Sequence, residues 1–340
     1  MKAFSKIHLQ YAAVIVVYTA IACTIAALMQ CVETGGWSGV DAERFHYMAR
    51  MIVNGFAPYV SFVDPKPPSI YFVVAVMDSA AAPGVLDIPV VTGINVLCAL
   101  LIFYIGNREY GYISGFFAGG FYLVVAVFVQ GYFLFSEQFA VLFLLLACIA
   151  TKKEGYIVAG ICAGLALGFK QYAVLGIIPL LYLMHAQGER RYHRFLVPAA
   201  AAMLIPFAAL WLWYGTAPFM SAVNWTFSVA PAYVSGQSIA SIPNYHTSDL
   251  FSYALALASS ILIMLPALLF ALASVIRRGL RSPFEKALFL FVVLFIGTLF
   301  IRQYLHYWIL ALPFLALFAC REFSDDRDSG PDGSGAIPEK

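Results

Sequence analysis

The chain has 340 residues, of which 62% are hydrophobic and 11% charged, with a formal net charge of +2 and a mean hydropathy of +0.84. Soluble domains carry about a quarter charged residues, so no soluble core absorbs this much apolar surface, and the composition is that of an all-α, multi-pass membrane protein. The net charge says nothing about nucleic acid, no basic tract stands out from the loops, and no nucleic-acid partner is expected.

The first apolar run, Tyr11–Met29, is too long for a typical signal-peptide core and lacks a convincing small-residue cleavage pattern, so it reads as an uncleaved first span. A polar block follows, Asp41 to Tyr71, which gathers Asp41, Glu43, Arg44, His46, Arg50, Asp64 and Lys66. Charges crowded at a membrane boundary are costly unless they meet a ligand or one another, which makes this block the leading site candidate. Within it, Asp41–Asn54 has helical periodicity. Phe45, Met48, Met51 and Ile52 share one face, and Glu43, His46, Tyr47, Arg50 and Asn54 the other, with Gly55 as a stop. This helix is expected to lie on the bilayer with Asp41 and Arg44 together at its N-terminal end. The next run, Ser69 to Ala82, is short and interrupted by Asp78, and reads as interfacial or re-entrant.

Further spans are expected at Ile88–Gly106, Tyr112–Gln130, Phe139–Thr151, Tyr156–Phe169, Tyr172–His185, Phe195–Trp213, Leu250–Ile276, Ala287–Ile301 and Tyr307–Cys320, which makes about ten in all. The pair around Lys170 has an alternative reading as one broken helix. Lys2, Lys6, Arg108, Lys152, Lys153, Arg190, Arg191, Arg194, Arg277, Arg278, Arg281 and Arg321 all fall on one side if each segment crosses once. The 214–249 loop, which has no Lys or Arg, falls on the other with the Asp41–Tyr71 block. The positive-inside rule then makes both ends cytoplasmic and the block extracytoplasmic, with the plasma membrane as the expected location. Residues 1–323 form one transmembrane module with long outer loops at 31–87 and 214–249. Residues 324–340, rich in Asp, Gly, Ser and Pro, read as a disordered tail. Asn224-Trp225-Thr226 is a glycosylation sequon. The six cysteines, Cys23, Cys31, Cys98, Cys148, Cys162 and Cys320, have neither metal-ligand nor disulfide spacing and read as apolar packers.

The pattern of Asp41, then Ala49-Arg50, Gly55, Pro58-Tyr59, Asp64-Pro65-Lys66-Pro67-Pro68 and Tyr71 resembles the first extracytoplasmic loop of the GT-C-type membrane glycosyltransferases. The nearest resemblance is to the dolichyl-phosphate-mannose protein mannosyltransferases and the lipid A aminoarabinose transferases. Phe135-Ser136-Glu137-Gln138 is similar to that family's second acidic loop. The run Gly164 to Lys170 is similar to its Gly-rich segment ending in Lys, and Arg302 to Pro313 to its late Arg…Tyr…Pro segment. The chain departs from the family in placing Ala42 after Asp41, so that the next acid is Glu43.

The resemblance implies an inverting transfer of a sugar from a polyprenyl-phosphate-linked donor to a hydroxyl of a lipid, glycan or protein acceptor. It implies Asp41 as general base, with Glu137 as a second carboxylate. It also implies Arg44, Lys66, Asp64, Glu43, Lys170, Arg302, Tyr59 and His306 as substrate-binding residues. No cofactor and no catalytic metal are expected, because neither His46 nor His246 has ligand spacing. The chemistry is consistent: a phosphate leaves readily, so the demands are a base for the acceptor and cations for the phosphate. Structural alternatives stand beside each assignment. Asp41 suits an N-cap, Asp64 a turn before Pro65, and Arg44, Lys66 and Lys170 can snorkel to headgroups. Glu137 suits an interfacial position, and Tyr304, Tyr307 and Trp308 an aromatic belt. At the level of the whole chain, the alternatives are a secondary transporter or lipid flippase and a non-catalytic scaffold.

Overall fold

A computed structural model describes residues 2–33, 40–229, 250–300 and 304–323, and every regular element among them is helical. The α-helices are α1 (Lys2–Glu33), α2 (Val40–Val53), α3 (Ser69–Ala80), α4 (Asp87–Tyr110), α5 (Tyr112–Phe128), α6 (Ser136–Lys152), α7 (Tyr156–Phe169), α8 (Ile177–Ala186), α9 (His193–Tyr214), α10 (Thr216–Asn224), α11 (Leu250–Arg278), α12 (Pro283–Gly297) and α13 (Trp308–Cys320). Six segments are long and apolar enough to cross a bilayer: Leu9–Gln30, Asp87–Tyr110, His193–Tyr214, Leu257–Arg278, Pro283–Phe300 and Leu305–Phe323. The other expected spans fall on the shorter helices α5, α6, α7 and α8. The tail and residues 230–249 of the outer loop lie outside the described residues.

Each end of the bundle has its own chemistry. At one end, Lys152 closing α6 pairs with Glu109 near the end of α4 and lies 4.0 Å from the Phe284 ring at the start of α12. Tyr156, opening α7, donates to Gln187 just past α8 at 3.3 Å. Helices α7 and α8 therefore form a hairpin, and Lys170 sits at its far turn rather than inside one broken helix. Arg321, beyond α13, is buried and binds Glu285 of α12 at 2.8 Å, the Ser274 carbonyl of α11 at 2.6 Å and the Gly279 carbonyl at 2.8 Å. Each of the three guanidinium nitrogens donates to an oxygen of another segment, which ties the last three helices together. Ser282 and Glu285 close a capping box at the start of α12.

Helix α13 is apolar all round and buried along its whole length, so it is the hub of the bundle and packs against α5, α11 and α12. By contrast α1 buries one stripe, Val14, Tyr18, Ala22 and Ala26, and exposes Leu9, Ile15, Val16 and Leu28. The closest helix pairs meet through small residues. A methyl group at Gly164 would collide with the Ala199 carbonyl of α9, and one at Gly160 with the Phe195 carbonyl. Gly106 of α4 and Gly115 of α5 are likewise too close for side chains. Among the described side chains Cys23, Cys98, Cys148, Cys162 and Cys320 are free, with Cys98, Cys148 and Cys320 buried as packing groups.

The amphipathic helix α2 packs against α3, which in turn begins beside Gly168 at the end of α7. Phe45 and Met48 are buried as the periodicity requires, and Glu43, Tyr47 and Arg50 are exposed. His46 departs from its expected polar face: it is 8% exposed and held between Asp78 of α3 and Asp87 of α4. The aromatic-belt reading also fails for two residues. Trp308 is fully buried and Tyr307 nearly so, because a 3-10 turn at Leu305–Tyr307 folds them into the bundle.

Candidate active site

At the end of the bundle opposite Arg321, four separate segments bring acids and cations together. Asp41 lies in the first turn of α2, where a carboxylate complements the helix dipole. Its partner is the Lys66 ammonium, whose Nζ is 3.3 Å from Asp41 Oδ1 and 3.7 Å from Asp64 Oδ1. The Lys66 loop is rigid for local reasons. Pro65, Pro67 and Pro68 restrict the backbone, and Asp64 Oδ1 accepts the Lys66 backbone N–H at 2.9 Å. The Tyr59 hydroxyl donates to the Lys66 carbonyl at 2.5 Å, while the Tyr59 carbonyl accepts from Ser221 of α10 at 2.6 Å. Tyr59 adopts φ 62°, an uncommon conformation for a bulky side chain, held there by burial and these two bonds.

The second pair is Glu137 with Lys170, Nζ to Oε1 at 2.6 Å. Glu137 opens α6 and also accepts from Ser136 Oγ at 3.1 Å. Lys170 is an extended residue between α7 and the 3-10 turn Gln171–Gly176, so its side chain turns inward at the hairpin apex. The rings of Tyr307 and Tyr172 lie 4.5 and 5.7 Å from its ammonium. His306 Nε2 is 3.7 Å from Glu137, with its ring stacked on Phe135 at 4.3 Å. Gln171 donates to the Pro65 carbonyl, joining the hairpin apex to the Lys66 loop.

The two pairs form one electrostatic unit. Burial opposes ionisation of Asp41, but the Lys66 ammonium, helped by His306 and Lys170, overrides it and holds the carboxyl at about 2. Burial likewise works against the charged form of Lys66, and Asp41 and Asp64 prevail, so its pKa is raised. Glu137 is 1% exposed and Lys170 4%. Desolvating such ions costs several kcal/mol each, roughly what their attraction returns, so a pair like this contributes little to stability. Its value lies in presenting charge inside an otherwise apolar bundle.

Of the expected site residues, Asp41, Asp64, Lys66, Glu137, Lys170 and His306 converge. The other four do not join them among the described residues. Arg44 and Glu43 are exposed on α2, and among the described residues no ion pair joins Arg44 to the cluster. Tyr59 is buried with its hydroxyl committed to Lys66, so it supports the loop rather than lining open space. Arg302 lies outside the described residues. Tyr172 and Tyr307, which flank Lys170, gave no sequence signal beyond their place at a boundary. Among the described residues, no three His, Cys, Asp or Glu side chains are grouped to hold a metal.

An all-α, multi-pass membrane protein with interlocked acid–lysine pairs buried at one end is what these observations define. No family model matches the chain, and no curated protein matches it.

Proposed function

We propose that the chain is an inverting GT-C-like glycosyltransferase that moves a sugar from a polyprenyl-phosphate donor to an acceptor hydroxyl. The observation that supports this most is the alternation of carboxylate and ammonium, Asp41–Lys66 beside Glu137–Lys170, with the rings of Phe45 and Tyr307 against the two ammonium groups. In this reading the ten helices α1, α4–α9 and α11–α13 each cross the membrane, the Arg321 end is cytoplasmic, and the site opens to the outer face of the plasma membrane.

The donor phosphodiester competes with Asp41 and Glu137 for Lys66 and Lys170. Once Lys66 turns to the phosphate, Asp41 loses its strongest neutralising partner and becomes the better base. It accepts the acceptor hydroxyl proton as the acceptor oxygen forms its bond to the anomeric carbon from the opposite face. The carbon–oxygen bond to phosphate breaks, its electron pair stays on the phosphate oxygen, and the two lysines stabilise the polyprenyl phosphate that leaves. Glu137 orients Lys170 and His306.

The test is transfer of labelled sugar from polyprenyl-phosphate donors in membranes holding the protein. Asp41→Asn should lower transfer by about 10²–10⁴ while the protein remains inserted. Full transfer by that variant removes Asp41 as base. Accumulation of label inside sealed vesicles without a new glycosidic product overturns the enzyme reading in favour of transport.

A further inference from the structure

His46 lies on α2 between two carboxylates from different helices. Its Nδ1 is 2.8 Å from Asp78 Oδ1 of α3, and its Nε2 is 2.8 Å from Asp87 Oδ2 at the start of α4. The three side chains are 11%, 4% and 17% exposed. A neutral imidazole donates from one nitrogen only, so one carboxylate would face a lone pair at hydrogen-bond distance; both contacts are favourable only for imidazolium. The remaining oxygens, Asp78 Oδ2 and Asp87 Oδ1, are buried with no hydrogen-bond partner, which leaves His46 as the group that compensates these acids. Other charges near α2 are committed elsewhere or exposed. Glu43 and Arg50, one turn either side of His46, point to solvent, and Asp64 and Lys66 of the adjoining loop belong to the Asp41 pair.

We infer that His46 is a positioning residue: as imidazolium it bolts α2, and with it the Asp41 end, to α3 and α4, and it releases α2 when that proton is lost. Its relevance to catalysis rests on the glycosyltransferase reading; the bolt itself does not. Hydrogen bonds and charge from Asp87, then Asp78, raise the His46 pKa against the opposing effect of burial. The docking contribution is therefore complete below the unfolded value and is lost as pH rises through the higher folded one.

Hydrogen exchange followed by mass spectrometry, on the full chain in nanodiscs and corrected for intrinsic pH dependence, measures this without reference to activity. Between about pH 6 and about pH 9.5, protection of residues 40–53 should fall by about tenfold or more, while residues 193–214 in α9 hold theirs. His46→Arg keeps a cation between the acids at every pH and should flatten the dependence. Asp87→Asn should move the midpoint to lower pH. Equal protection of residues 40–53 at both pH values, an unchanged fall in His46→Arg, or an unmoved midpoint in Asp87→Asn overturns the inference. Loss of sugar transfer with the bolt intact would instead count against the enzyme reading alone.

Discussion

At the scale of single residues, the site depends on which side chain neutralises which. Asp41 is held at about 2 despite its burial because Lys66 stands beside it, with His306 and Lys170 behind. The pair's contribution to stability is complete above the ordinary carboxylate value and is lost as pH falls through about 2. Lys66→Met leaves burial as the dominant influence, so the Asp41 titration should move above about 4. Infrared spectroscopy of the carboxylate stretch with isotope-labelled aspartate would follow this, and a midpoint still near 2 would refute the assigned partnership. Glu137 and Lys170 are more deeply buried and each compensates the other. Removing one strands an unpaired charge, whereas replacing both with apolar groups of similar volume does not.

At the scale of elements, close approach of backbones sets the frame that holds those charges. Helices α7 and α9 touch along Gly160 and Gly164, which leaves no room for a side chain. Gly164→Leu should separate them and lower the thermal unfolding midpoint in detergent, with an overpacking cost of about 1–3 kcal/mol or more. A midpoint unchanged from wild type would mean that the contact is not made. Because Lys170 terminates α7, the same substitution should also disturb the Glu137 pair. Much of this level was legible from the sequence. Apolar runs located each long helix, and the face of α2 bearing Phe45 and Met48 followed from periodicity. Asp41, Lys66, Glu137 and Lys170 stood out as charges in apolar surroundings. What escaped was pairing between distant segments. His46 looked polar-faced because periodicity says nothing about an acid on another helix, and Asp78 looked like an interruption rather than its partner. Trp308 and Tyr307 matched a boundary composition, yet the turn preceding α13 carries them into the interior.

At the scale of the whole molecule, the two ends of the bundle divide the labour. The Arg321 end closes the last three helices with hydrogen bonds and carries the surface basic residues. The other end pairs Lys66 and Lys170 with carboxylates and leaves Arg44 and Arg50 exposed on α2. If the bundle crosses the membrane as proposed, cysteines placed at Asn54 and Ala186, both exposed, should answer oppositely to a membrane-impermeant thiol reagent. Asn54→Cys should react in intact cells and Ala186→Cys only after permeabilisation. Reaction of both from the same side would reverse the assigned topology.

The tie between Gln171 and the Pro65 carbonyl bears on selectivity. It joins the two segments that carry Lys66 and Lys170, so the spacing of their backbones is set by the polypeptide before any guest arrives. If the proposed donor binds there, that spacing works as a calliper: an anion able to bridge both jaws would gain from each, and a smaller one would forgo half the grip. Lengthening or cutting this single strut should blur that gauge without removing either charge.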